Sequence, residues 1–151
     1  MESRSPREHD LWLHSALRVA AATNPYLAPD DAAVVWTEIA AGRCFASLQE
    51  FQRRWIALFR AVALRDAARM GELGASLLAT QSGLRSEARE YLLMAAMAGS
   101  IAAHQKERAL ELWNAQAAEI PRVAASPAFR LLRCHAETAG CAAAFRAYAE
   151  R

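Results

Sequence analysis

Ser86-Glu87-Ala88-Arg89-Glu90-Tyr91-Leu92-Leu93-Met94-Ala95-Ala96-Met97-Ala98-Gly99-Ser100-Ile101-Ala102-Ala103 is the stretch whose reading decides the fold. Ala, Leu, Met, Glu and Arg dominate it, and these residues have little side-chain freedom to lose in a helix. Ser86 stands where a helix wants a capping hydroxyl, and Glu87 follows in the first turn, where the helix dipole favours an acid. Tyr91, Met94 and Ile101, with Ala95, Ala98 and Ala102, leave little polar surface before His104-Gln105. The pattern predicts a helix over 87–103 flanked on several sides, the central helix of its domain.

The same chemistry extends in both directions. Upstream, Pro29-Asp30-Asp31 predicts a helix start, since proline is tolerated in the first turn and acids favour the helix N-terminus; this helix runs to about Ala41, before Gly42. Ser47-Leu48-Gln49-Glu50 matches a capping box and opens a long helix. On it Phe51, Trp55, Phe59 and Val62 recur at helical spacing and mark a core face. Gly71 and Gly74 predict a turn out of that helix into a shorter one around Ser76-Leu77-Leu78. A first helix over His9–Ala22 must end before Asn24-Pro25. Downstream, Lys106–Glu119 must end by Pro121, Pro127 opens a helix to Gly140, and a last one covers Cys141–Glu150. No Val, Ile or Thr run alternates as a strand would. The expected fold class is all-α, about eight helices stacked as antiparallel hairpins. Residues 1–7 are expected to be disordered and 8–151 to form a single domain.

Composition agrees. Hydrophobic residues make up 54% of the 151 and charged residues 23%, enough apolar surface for a core. The formal charge is +2 and Lys106 is the sole lysine, so the clustered basic excess of a nucleic-acid module is missing. Arg53, Arg54, Arg60, Arg65 and Arg69 fall on two sides of one helix, which describes solvated flanks; nucleic-acid binding is not expected. The longest mostly apolar run, Tyr91 to Ala103, falls short of the roughly 20 residues a membrane helix needs. No export signal is visible at the N-terminus, and membrane insertion is not expected.

Cys44, Cys134 and Cys141 form no CxxC pair, so reduced thiols and a cytoplasmic setting are expected. Cys134-His135 with Cys141 falls short of the paired ligand spacings of structural zinc, and no metal or cofactor is expected. Phosphate-loop, HExxH, GxSxG and dinucleotide fingerprints are missing. No catalytic residue is nominated.

Ala109, then Trp113 four residues on, then Pro121 twelve residues after the alanine, resembles the second helix and exit of a tetratricopeptide repeat. Self-comparison at 34 residues also aligns Ala75, Ala109 and Ala143, and Ala68, Ala102 and Ala136. The best unit, about Glu90 to Val123, departs from the family's small residues at Met97 and Gln116. The resemblance implies that the first helix of each hairpin lines a concave, mainly apolar surface built from Arg60, Leu64, Tyr91, Met94, Ala98, Ile101, Phe129, Leu132 and His135. It implies a protein-interaction module or adaptor that binds a peptide or helix of a partner, and a homo-oligomer is compatible with it. The family's lysine-bearing clamp for acidic peptide tails has no match. The alternative is a small all-α enzyme or ligand-binding bundle.

Overall fold

A computed structural model of the protein describes residues 28–80, 83–120, 123–137 and 141. The helices expected over His9–Ala22 and Cys141–Glu150, the segment 1–7 and the Pro121 stop lie outside these residues. The described residues are helical: α1 (Pro29–Ala41), a single turn α2 (Arg43–Ala46), α3 (Glu50–Ala63), α4 (Ala67–Thr80), α5 (Ser86–Ala102), α6 (Lys106–Gln116) and α7 (Pro127–Glu137). No strand occurs among them, and none of these helices is long and apolar enough to cross a membrane. The described residues fall into two compact units that meet at Arg65/Asp66.

In the first unit α1 has the bounds its sequence announces, with Pro29 at its start, Asp30 and Asp31 in its first turn and Gly42 as its C-cap. It buries Ala32 and Trp36, and Val35 and Ile39 join Ile56, Phe59 and Ala63 of α3 and its C-cap Leu64 around them. The α3 cap lies two residues beyond the expected one. Gln49 is the N-cap, its backbone N–H donates to Gln52 Oε1 at 3.0 Å, and Ser47 instead closes α2. Of the expected aromatic face, Phe59 joins this cluster, whereas Phe51 in the first turn is 43% exposed.

The long helix does not run to Gly71. It stops where Leu64 caps α3 and Arg65 takes a left-handed φ of 55°, its N–H donating to the Val62 carbonyl. Asp66 then starts α4, its Oδ1 accepting the Arg69 backbone N–H at 3.1 Å, which satisfies one of the free donors of a new helix. Gly71 and Gly74, expected to make a turn, lie inside α4 and are buried. Their role is close approach. A Cβ on Gly74 would stand 2.8 Å from the Ala96 nitrogen, and one on Gly71 3.0 Å from the Ser100 nitrogen. The higher-numbered glycine meets the lower-numbered stretch of α5, so the two helices run antiparallel with their backbones nearly touching.

α5 is the centre of the second unit, packed by α4, α6 and α7. Leu92, Leu93, Ala96 and Met97 are fully buried on it. It closes with His104 in the left-handed region at φ 61°, the Gln105 N–H reaching back to the Ser100 carbonyl at 2.8 Å and the His104 N–H to Ile101 at 3.0 Å. These two bonds satisfy carbonyls that the helix end leaves free and turn the chain into α6 within three residues. Arg89, near the start of α5, donates to Gln116 Oε1 at 3.1 Å and Glu119 Oε2 at 2.8 Å, pinning the far end of α6 beside it. Trp113 packs on Phe129 of α7 with ring centroids 6.3 Å apart, and the Arg133 guanidinium lies 5.5 Å from the indole centroid. Cys134 in α7 is disulfide-bonded to Cys141 beyond the helix, with Cα atoms 5.7 Å apart. Reduced thiols were expected. The spacing of seven brings the two cysteines together because α7 ends at Glu137, between them.

Candidate functional site

Two periodicities on α5 divide its surface. At 100° per residue, Leu92, Leu93, Ala95, Ala96, Met97, Gly99 and Ser100 occupy about 200° of the circumference, and all seven are buried. Tyr91, Met94, Ala98 and Ile101 fall in a separate sector of about 80°. Tyr91 and Met94 are each 36% exposed, and Ala98 and Ile101 are half-buried. Glu87 is exposed on the same sector, one turn earlier. An apolar strip with an acidic end is thus left on the surface beside that buried sector.

The strip's electrostatics follow from its position. Burial of part of the ring pushes the Tyr91 phenol above its ordinary pKa. It therefore stays neutral throughout the physiological range and acts as an apolar plate with a polar rim.

The remaining residues expected on the concave surface are placed differently. Phe129 is 2% exposed and belongs to the core with Trp113. Leu132 is half-buried and His135 exposed on the same helix, α7. Arg60 and Leu64 belong to the first unit, where Leu64 packs on the Trp36 cluster. Arg60 is exposed and lines a recess with Trp36, Ile39, Phe45 and Ile56. The structure therefore places four of the nine in one sector of α5, with Tyr91 and Met94 exposed and Ala98 and Ile101 half-buried.

The Trp36 recess is the other feature with a chemical handle, because the indole Nε1 is buried there without a hydrogen-bond partner. Its volume is about 70 Å³. Cavities that hold even a benzene are roughly twice that size, and Nε1 itself is sealed from water, so the recess offers little to a ligand. Among the described residues no group of three or more His, Cys, Asp or Glu is placed to hold a metal ion.

Sequence reasoning missed the small-residue crossing that sets how α5 lies. Its signal was present in Gly71, Gly74 and Gly99, but a glycine that terminates a helix and one that admits a neighbour look alike in sequence. No family model matches this chain, and no curated protein and no solved structure is similar to it at a level that shows kinship.

Proposed function

We propose that this chain is a protein-interaction module that docks an apolar helix or peptide of a partner on the face of α5 formed by Tyr91, Met94, Ala98 and Ile101. The carrying observation is the exposure of Tyr91 and Met94 side by side on a helix that buries about 200° of its circumference. Contiguous exposed apolar side chains on an otherwise well-packed domain mark interaction surfaces, and methionine and tyrosine adapt well to apolar anchors. Helix-in-groove recognition uses anchors at the three- and four-residue spacing present here.

A tetratricopeptide-like stack of hairpins is the architecture this reading favours. Support comes from the short α5–α6 connection and from Ala109, wholly buried where the repeat wants a small residue at a close helix contact. The setting expected from the sequence is the cytoplasm, where a Cys134–Cys141 pair would be kept reduced. Both redox forms therefore belong in the test. A photo-activatable cross-linker placed at Met94 in cells should trap one discrete polypeptide, and the same group at Glu111 on the exposed side of α6 should not. Equal labelling from both positions contradicts the assignment.

A further inference from the structure

We propose that the partner helix on this face is α5 of a second copy of the same chain, paired antiparallel about a two-fold axis level with Ala96. This rests on the reading of the face as a docking surface and names its occupant.

The first argument is the pattern itself. Tyr91, Met94, Ala98 and Ile101 are separated by steps of three, four and three residues, which read the same from either end. A two-fold axis level with Ala96 therefore sets Tyr91 against Ile101 of the second copy and Met94 against Ala98. A long side chain meets a short one at each central contact, as interdigitation of two helix surfaces requires. A two-fold interface must be complementary to itself in this way, each contact occurring twice.

The second argument is charge. Glu87 is exposed and Glu90 half-buried at the N-terminal end of the strip, and neither is ion-paired among the described residues. At the other end the three-residue turn returns Lys106, the chain's sole lysine, to the C-terminal end of α5. Glu87 lies nine residues, roughly 14 Å, before the Ala96 level at 1.5 Å per residue, and α5 ends six residues, roughly 9 Å, beyond that level, where the turn places Lys106 at the start of α6. Antiparallel pairing brings the acidic end of one strip beside the end of the other copy's α5 where the lysine is returned, twice. Parallel pairing would set acid beside acid. The helix dipoles add in the same direction, each positive end lying beside a negative one.

One helix face buries less than the roughly 800 Å² per partner of a standard interface, so a micromolar, reversible dimer is the expected strength. Sedimentation velocity of the full chain from about 5 to 500 µM spans that range. The weight-average mass should rise from 16.6 kDa toward twice that value, with no disulfide-linked species on a non-reducing gel. Met94→Glu should raise the dimer dissociation constant at least tenfold. Glu87 is exposed, so its substitution should leave folding intact: Glu87→Lys should weaken the dimer, and Glu87→Lys with Lys106→Glu should restore it. A mass of 16.6 kDa at every concentration overturns self-pairing; specific cross-linking from position 94 to another polypeptide would then show the docking surface intact with a different occupant. A dimer indifferent to Met94→Glu, or a charge swap that fails to restore association, also overturns it.

Discussion

Gly71 and Gly99 meet where α4 crosses α5, so closely that a Cβ on Gly99 would stand 2.7 Å from the Gly71 Cα and 2.7 Å from the Ala67 carbonyl oxygen. Glycine inside a helix ordinarily costs about 0.5–1 kcal/mol relative to alanine. Here that cost is offset by a crossing that larger residues would hold apart. The crossing fixes which sector of α5 is buried and hence which is left open.

Gly99→Ala should therefore destabilise the protein, against the usual helix preference. Because the obstructing atoms are backbone, they cannot swing aside, and an overpacking cost of about 1–3 kcal/mol is expected. Urea unfolding would show it as a lower midpoint. A midpoint equal to or above that of the wild type would mean that the helices lie further apart than described.

Trp113 fills the space between α6 and α7 against Phe129, and it is 7% exposed. Trp113→Ala should cost about 3–5 kcal/mol through lost burial and the cavity left behind. A thermal midpoint within a couple of degrees of wild type would remove the indole from the core and with it the repeat register centred on Ala109 and Trp113.

Not all of this was legible in the sequence, and the divisions have physical causes. The bounds of α1 were readable because Pro29, Asp30, Asp31 and Gly42 act locally, each through its own backbone or charge. The α3–α4 break was not, because Arg65 adopts the left-handed conformation that glycine usually supplies, while Gly71 and Gly74 serve a contact with a helix some 25 residues away. The Tyr91–Met94–Ala98–Ile101 strip was readable as one helix face from its period. Which face stays open depends on what packs beside it, and Phe129 shows the difference: it is as apolar as its neighbours on the expected surface, yet Trp113 and α6 close over it. The disulfide depends on where α7 ends, which spacing alone did not give.

The Cys134–Cys141 bond closes a loop of only eight residues. On the chain-entropy estimate, so short a loop contributes about 2.5 kcal/mol. Reduction with a dithiol, or Cys134→Ser, should lower the unfolding free energy by about that amount at most, without loss of helical signal. Unchanged melting on reduction would show that the bond constrains nothing in the unfolded chain.

Tyr91 gives a pH signature. Partial burial disfavours its phenolate, so the folded protein holds this proton to a higher pH than the unfolded chain does. The sign follows: this group's contribution to stability is fully present below the ordinary tyrosine value of about 10 and is lost as pH rises through its folded value. The difference in tyrosinate absorbance between wild type and Tyr91→Phe should titrate above that ordinary value. A midpoint at or below it would place the ring in open water.

The most direct test of the open α5 face is Met94→Glu, followed by thermal circular dichroism and by association. On an exposed strip the carboxylate stays hydrated, so the change should cost no more than about 0.5 kcal/mol, a shift of roughly 2 °C for a chain of this size. The same variant should lose association through α5, whether read as dimer mass or as cross-linking. A lost cooperative transition would show the face to be core, where a bare charge cannot be accommodated. Retained folding with undiminished association would contradict the site itself.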